Sequence, residues 1–278
     1  MTPSPKYADL HLHTIFSDGT YTPEQLIEKV GKAGLSCIAL VDHDTISGIR
    51  PLLEAAQRKD IEIIPGIELT TEYQGLEIHI LGYFIDYKNK AFRERLEVLK
   101  KNRIERIYKI TDKLKGMGIA LNPETVFALA GEGTVGRLHV ARAMVKEDIV
   151  GSIYEAFQKF IGDKCPAYVL GFRLSPPQAI KLIKDAEGIP VLAHPYCLGK
   201  NELIPKLAAS GIMGLEVYYP EHTPAMVDFY LGLAKKYNLL VTGGSDYHGE
   251  AKPEVKIGSI KIPYALVEKI RQAREKIK

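Results

Sequence analysis

The chain has 278 residues, of which 46% are hydrophobic and 26% are charged, as is usual in a water-soluble globular protein. It is too long for a minimal domain and has the length of a single α/β barrel. The formal net charge of +3 is too small to indicate nucleic-acid binding by itself. No apolar run approaches the ~20 residues that span a bilayer.

Two further features predict a cytoplasmic protein. The first residues lack the apolar core of a secretory signal. The three cysteines, Cys37, Cys165 and Cys197, are an odd number without CxxC spacing, which favours reduced thiols over a disulfide framework or a zinc knuckle. We expect no membrane association, and the sequence gives no sign of an obligate protein partner.

The N-terminal third alternates strands with helices. Its first strand has alternating apolar and polar residues, and its first helix opens at Thr22, a suitable N-cap followed by proline. A hairpin turn is predicted near Gly75. The predicted elements are strands at 7–14, 37–41, 62–65 and 76–82 and helices at 22–33 and 49–59.

The segment from Lys90 to Gly162 breaks this alternation, because it contains no convincing strand. Its first part, 90–115, reads as one long helix with ten basic and four acidic residues, a net charge of +6. The rest of the chain then carries a net charge of −3. Shorter helices are predicted at 123–130, 137–146 and 153–160, so that 90–162 forms an all-helical insertion between two parts, 1–89 and 163–278, of one barrel.

The alternation returns in the last third. Helices are predicted at 175–186, 203–209, 223–237 and 263–277, and strands at 189–193, 214–218, 239–242 and 257–260. We count about seven strand-plus-helix units, which predicts an α/β fold closed like a barrel.

His11 and His13 form the most informative pair. Side chains two apart on a strand lie on the same face, so the two imidazoles can bind one metal ion. Asp18 follows in a Ser-Asp-Gly turn, close enough to add a carboxylate. The pair alone could equally be two polar groups on a half-buried strand.

Other histidines and acidic residues favour the metal interpretation. They lie at or just beyond the C-terminal ends of predicted strands, where active sites assemble in α/β barrels. Imidazoles mixed with carboxylates suit zinc, manganese or iron, and the number of groups suggests two or three ions. We expect Gly243 and Gly244 to let the backbone approach an ion or phosphate. The residues in these positions are His43, Glu68, His194, Asp246 and His248.

Two histidines fit this pattern less well. His79 lies among apolar neighbours on a strand, and taken alone it predicts a hydrogen-bonded core residue. His222 lies in a proline-flanked loop, which predicts a surface position.

The ordered set of motifs resembles the polymerase-and-histidinol-phosphatase (PHP) superfamily. The matching stretches are His11-Leu-His13 with Asp18, Asp42-His43-Asp44, Glu68, His79, His194-Pro195 and Ser245-Asp246-Tyr-His248. The resemblance implies a distorted (β/α)7 barrel with a trinuclear metal site. It implies that the ligands are His11, His13, Asp18, His43, Glu68, His79, His194, Asp246 and His248.

The insertion is similar to that of a PHP subgroup containing 3′,5′-nucleoside bisphosphate phosphatases and 5′→3′ exonucleases of short RNA. By this resemblance it covers the metal site and binds the nucleotide or short RNA through Arg103, Arg106, Arg137 and His139. Arginine suits phosphate because its planar fork binds two oxygens. The proline usual after Arg137 in the subgroup is Leu138 here.

Three aspartates could act behind the ligands. Asp9 could orient an imidazole, Asp42 could support the site, and Asp44 could give or take a proton. The expected chemistry is metal-assisted phosphoester hydrolysis, in which water attacks phosphorus and no side-chain nucleophile is needed. The arginines would neutralise phosphate charge.

Three alternatives stay open. An amidohydrolase also begins its barrel with HxH, but it would usually need a bridging lysine at a strand end. A histidinol-phosphatase-like enzyme has less use for the basic insertion. A non-catalytic RNA-binding module would show lost ligands and RNA affinity without metal.

Overall fold

The computed structural model describes residues 5–57, 59–171 and 173–277. Eight strands form one sheet in the order β7-β6-β5-β4-β3-β2-β1-β8. They are β1 Tyr7–Leu12, β2 Cys37–Leu40, β3 Glu62–Tyr73, β4 Leu76–Tyr83, β5 Ile189–Leu192, β6 Gly214–Tyr218, β7 Leu240–Gly243 and β8 Ile262–Pro263.

The sheet nearly closes into a barrel, as predicted. The backbone N–H of His13 donates to Tyr247 O over 3.1 Å, which ties the segment after β7 to the end of β1. Gly244 permits this contact, because a Cβ there would lie 2.4 Å from the Cβ of His11. The close approach that Gly244 allows in this structure is therefore to β1.

The strand directions depart from a regular parallel barrel in two places. Strand β4 is antiparallel to both β3 and β5, and β8 is antiparallel to β1. The prediction ended the third strand at Pro65, but β3 runs on to Tyr73 because its last eight residues pair with β4. The final strand lies at Ile262–Pro263, later than the predicted 257–260.

Helices fill the connections, and local sequence explains where several of them start. Thr22 and Ser175 form capping boxes with the third residue of their helices, and proline occupies the first turn of each. The helices are α1 Pro23–Lys32, α2 Ile49–Ala56, α3 Lys90–Gly116, α4 Pro123–Ala130, α5 Arg137–Lys146, α6 Ile153–Ala156, α7 Pro176–Asp185, α8 Ile204–Ala209, α9 Pro224–Lys236 and α10 Tyr264–Glu275. A π-helical turn, Phe157–Ile161, continues α6.

Helices α3 to α6 enclose a hydrophobic core of their own. The second half of α3 contributes Ile107 and Leu114 to this core. The first half of α3 packs instead into the cluster between the barrel strands and their helices, through Phe92, Leu96 and Leu99. The long helix therefore spans both cores, and it fixes the position of the helical segment above the strand ends.

Among the described residues, no helix combines the length and the apolar character needed to cross a membrane.

Candidate active site

Glu68 lies at the centre of a cluster of buried imidazoles. Its Oε2 is 3.3 Å from Nε2 of His11 and 3.3 Å from Nε2 of His13. The same oxygen is 3.4 Å from Nε2 of His43. Its Oε1 is 2.8 Å from Nδ1 of His79 and 3.1 Å from Nε2 of His194. One carboxylate thus contacts five of the predicted ligands.

Two aspartates extend the cluster on the other side of His13. Asp246 Oδ1 lies 3.2 Å from Nε2 of His13 and 3.3 Å from Nε2 of His11. Asp18 Oδ1 lies 3.2 Å from Nε2 of His248. The structure therefore brings all nine residues of the predicted set together at one end of the barrel.

Their donor atoms form three overlapping groups, each with atoms within 4.8 Å of one another. One group is His13, Asp18, His43 and His248, a second is His11, His13, Glu68 and Asp246, and a third is His43, Glu68 and His79. His194 joins them through Glu68. Each group offers enough donor atoms to hold a metal ion.

The orientation of the imidazoles fits metal binding. Nδ1 of His11 contacts Glu216, Nε2 of His79 contacts Glu77, and Nδ1 of His248 contacts the Asp246 carbonyl oxygen, over 2.8 to 2.9 Å. A ring nitrogen that donates to such a partner leaves the other nitrogen unprotonated and free for a cation. Among the described residues, the buried Nε2 of His13 and Oδ1 of Asp18 have close polar neighbours but no partner in hydrogen-bonding geometry, as expected of atoms that hold an ion.

Charge in the cluster also favours a cation. Burial raises the pKa of Glu68, but the surrounding imidazoles, His43 first among them, hold it well below its usual range. Burial lowers the pKa of His43 to about 4, which keeps that imidazole neutral. Burial also lowers the pKa of His13, but Asp246 and Glu68 raise it to about 9. The carboxylates therefore attract positive charge to the place where these atoms meet.

The backbone at two of these residues is unusual. His194 and Asp246 have φ angles of 23° and 53°, a region that non-glycine residues rarely adopt. Such conformations persist where the surrounding contacts fix them, and they concentrate at functional sites.

Glu68 itself lies inside a strand, and not beyond a strand end as predicted. Strand β3 continues past it, and a bridge pairs it with His43, just after β2. The side chain still reaches the rim because β2 ends three residues earlier in register, at Leu40 opposite Pro65.

Glu216 supports the cluster and was missed in the sequence. Its Oε1 is 2.9 Å from Nδ1 of His11, and its Oε2 accepts the His194 N–H over 2.8 Å. It is a single acidic residue in an apolar strand, a signal that could have identified it. Asp9, expected to orient an imidazole, instead accepts backbone N–H groups of His11, Ser245 and Gly258.

Asp246 has two further partners, also missed. The Tyr219 hydroxyl donates to Asp246 Oδ2 over 3.0 Å, and Lys252 Nζ donates to the same oxygen over 2.6 Å. Asp42 fixes the loop after β1 by accepting from Thr14 and Ser17.

A cavity of about 350 Å³ opens beside the metal-ligand cluster. The cluster contributes Asp18, His43, His79, Asp246 and His248 to its lining. Four arginines also line it, namely Arg103, Arg106, Arg137 and Arg173. Carboxylates and imidazoles bind metal cations, whereas guanidinium groups bind anions. A cavity lined by both therefore suits an anion that contacts the arginines and bound cations together.

Arg103 is fixed by a residue expected to act on a proton. Its Nε donates to Asp44 Oδ2 over 2.7 Å, and a second nitrogen donates to the Thr70 hydroxyl. Asp44 Oδ1 accepts the Thr70 N–H over 2.9 Å. Both oxygens of Asp44 are thus occupied in holding Arg103 against β3.

Glu77 holds two of the other arginines. Its Oε2 lies 2.9 Å from Arg137 and 2.5 Å from Arg173, while its Oε1 contacts His79. Within the described part of the chain, the buried guanidinium nitrogens NH2 of Arg106 and NH1 of Arg173 have no hydrogen-bond partner. Burial, followed by repulsion from Arg173 and Arg137, lowers the pKa of Arg106 to about 9. The group of arginines therefore has unused N–H donors and excess positive charge.

Two histidines lie elsewhere than predicted. His139 is buried beneath the cavity, does not line it, and accepts the Gly136 N–H through Nδ1 over 3.2 Å. Burial lowers the pKa of His139 to about 4, so this ring is neutral near pH 7. His222, predicted at the surface, is buried beside Tyr219 and Tyr230 and contacts the Val217 carbonyl.

Comparison with known proteins links this geometry to a family. The profile described as "PHP domain" matches residues 9–164. A 5′-3′ exoribonuclease of Haemophilus influenzae is 35% identical over 87% of this chain and 90% of its own length. A 3′,5′-nucleoside bisphosphate phosphatase of Chromobacterium violaceum is 29% identical over 86% of each chain.

A solved structure agrees with these relatives. A protein of Bifidobacterium adolescentis, described provisionally as a metal-dependent phosphoesterase, superposes with a TM-score of 0.88 at 30% identity. The alignment covers 98% of this chain and 97% of that one. The resemblance therefore extends over the barrel and the helical segment together.

Proposed function

Since this chain belongs to the PHP domain family and is a metal-dependent phosphoesterase, we propose that it hydrolyses 3′,5′-nucleoside bisphosphates and short 5′-phosphorylated RNA. The observation that carries the proposal is the single cavity shared by the metal-ligand cluster and four arginines. A substrate with two phosphates can place one phosphate at the metal-ligand cluster and the other at the arginines. Relatives that act on RNA and on nucleoside bisphosphates support this choice.

The nine clustered residues are the proposed metal ligands. They would hold two or three divalent ions, for which mixed imidazole and carboxylate groups favour manganese, zinc or iron. Ions held there supply Lewis-acid activation of the phosphoester and of water. Glu216, Glu77 and the Asp246 carbonyl orient three of the imidazoles.

The arginines are the proposed binding site for the phosphate that is not hydrolysed. Arg106 and Arg173 offer buried N–H groups without partners, whose desolvation an anion would compensate. Arg103 and Arg137 add charge, and they are held in place by Asp44 and Glu77. We assign Asp44 a positioning role through Arg103, because its hydrogen bonds leave it no free oxygen. His139 supports the start of α5, which carries Arg137.

We propose that residues 90–162 form a helical insertion over the site, between barrel segments 1–89 and 163–278. Arg106, Arg137, Leu138 and Ile153 of this segment line the cavity, as does Phe157. The separate core of α4 to α6 supports an independent packing unit. In packing terms the unit begins near Ile104, because the first half of α3 belongs to the core of the barrel.

Phosphate release from three compounds tests the proposal. The compounds are 3′-phosphoadenosine 5′-phosphate, a 5′-phosphorylated RNA trinucleotide and histidinol phosphate. For the RNA, the readout is release of nucleotides instead of phosphate. Manganese-loaded protein should hydrolyse the first two, and both chelation and His13→Ala should abolish turnover. Hydrolysis of histidinol phosphate alone would refute the nucleotide assignment and favour the histidinol phosphatases. RNA binding without turnover, unaffected by chelation, would favour a binding module.

A further inference from the structure

Lys252 lines the same cavity as the four arginines. It follows the 3-10 turn Gly249–Ala251, just after the segment that carries Asp246 and His248, and it lines the cavity with them. We propose that Lys252 binds the phosphate that is hydrolysed, a substrate-binding role that rests on the proposed function and adds a residue to it.

The position of its ammonium group supports this role. Nζ lies 2.6 Å from Oδ2 of Asp246, whose other oxygen belongs to the metal-ligand cluster. The Asp246 carboxylate thus lies between the ammonium group of Lys252 and the place where the cluster would hold ions. Among the described residues, Asp246 is the one hydrogen-bond partner of Nζ. An ammonium group has three N–H donors, so two remain. With 35% of its side chain exposed, Lys252 can direct the others into the cavity.

Orientation of Asp246 does not require a second donor. The Tyr219 hydroxyl already donates to Oδ2 over 3.0 Å, and Tyr219 does not line the cavity. Tyr219 is buried, so its hydrogen bond is shielded from water. Lys252 adds positive charge on the cavity side, where a phosphate ester would bring two negative charges close to Asp18 and Asp246. Its charge offsets that repulsion at the reacting phosphate.

The cavity then has two separately anchored groups of positive charge. Lys252 contacts Asp246 of the metal-ligand cluster, whereas Arg106 and Arg173 have buried N–H groups without a hydrogen-bond partner among the described residues. This arrangement assigns the two phosphates of a bisphosphate different partners. The reacting phosphate contacts Lys252, and the second phosphate contacts the arginines.

Two matched variants separate binding of phosphate from positioning of Asp246. Lys252→Met removes the charge and keeps the length of the side chain, whereas Tyr219→Phe removes the other hydrogen bond to the same oxygen. Binding of inorganic phosphate is measured by calorimetry on manganese-loaded and on metal-free protein, and bound metal is measured by elemental analysis. The manganese-dependent part of phosphate binding reports the reacting site, because the arginines remain in both samples.

Lys252→Met should weaken manganese-dependent phosphate binding about 10-fold while the protein keeps its full metal content. Tyr219→Phe should keep the phosphate affinity of each metal-loaded molecule. An unchanged phosphate affinity in Lys252→Met would overturn the inference. A loss of bound metal in Lys252→Met equal to that in Tyr219→Phe would also overturn it. A wild-type protein that hydrolyses no nucleotide would refute the proposed function instead, since the phosphate-binding comparison needs no turnover.

Discussion

Arg103 of α3 and Asp44 of the loop after β2 form a partly buried ion pair, with Nε of Arg103 2.7 Å from Oδ2 of Asp44. The pair joins the helical segment to the barrel rim at the edge of the cavity. Asp44 also accepts the Thr70 N–H, so the carboxylate is fixed from both sides. The orientation of a proposed phosphate-binding arginine therefore depends on a residue of the barrel.

Replacing Asp44 tests whether it positions Arg103 or transfers a proton. We expect Asp44→Asn to raise the KM for 3′-phosphoadenosine 5′-phosphate about 10-fold, because the loosened arginine binds phosphate less well. Arg103→Met should have a similar effect, and the double variant should be little worse than either single one. A large fall in kcat with unchanged KM in Asp44→Asn alone would support proton transfer.

Arg173 is expected to bind the phosphate that is not hydrolysed. Arg173→Gln should raise the KM for the bisphosphate about 10- to 100-fold, since a charged hydrogen bond to phosphate is lost. Steady-state kinetics on p-nitrophenyl phosphate, which has one phosphate, should change little. Arg93→Gln, an equal change of charge at an exposed position of α3 outside this cavity, is the control. Equal losses on both substrates would contradict the separate phosphate site.

Glu216 should control metal affinity without contacting substrate. Its two oxygens hold the His11 ring and the His194 N–H. We expect Glu216→Gln to lower manganese affinity about 10- to 100-fold, as is typical when a partner behind a metal ligand is lost. Titration calorimetry measures the affinity. A variant with wild-type affinity would show that these hydrogen bonds do not support the metal site.

Metal binding should stabilise the protein. Nine clustered ligand groups leave several buried carboxylates close together in the metal-free protein, and an ion that binds only the folded state adds stability. At a concentration 100 times its dissociation constant, one ion contributes about 2.7 kcal/mol. Thermal unfolding with increasing manganese should therefore show a Tm higher by several degrees. No shift in Tm, at manganese concentrations that support activity, would contradict binding at a shared buried cluster.

His139 is predicted to matter for stability more than for substrate binding. His139→Ala removes a buried acceptor and leaves the Gly136 N–H unpaired, which should cost about 1–3 kcal/mol. Denaturant unfolding measures this loss, and Lys146→Ala, at an exposed position of the same helix, is the control. A stable His139→Ala protein with a much higher KM would return His139 to the substrate site.

The sequence predicts the barrel and its rim well, because both follow from local pattern. Alternation marks β1, apolar runs mark β2 and β5, and polar residues follow these strands at one end of the sheet. The extension of β3 was missed because it depends on pairing with β4. Glu68 therefore looked like a loop residue, although it lies within a strand.

Residues that support the site were harder to identify from the sequence. Lys252 and Arg173 lie in irregular segments with no periodic pattern, and their roles come from tertiary contacts with Asp246 and Glu77. His222 looked exposed beside its prolines, but Tyr219 and Tyr230 cover it. Arg173 and Glu77 are distant in the chain, and the nearer contacts of Lys252 and His222 depend on loop conformations that no periodic pattern predicts.

The most direct test of the central claim is phosphate release from 3′-phosphoadenosine 5′-phosphate by wild-type protein and by Glu68→Gln, both with manganese. Because Glu68 contacts five histidines, we expect turnover by the wild type and a turnover rate at least about 100-fold lower in the variant. The variant should also bind less metal. Comparable turnover by the two proteins would contradict the account.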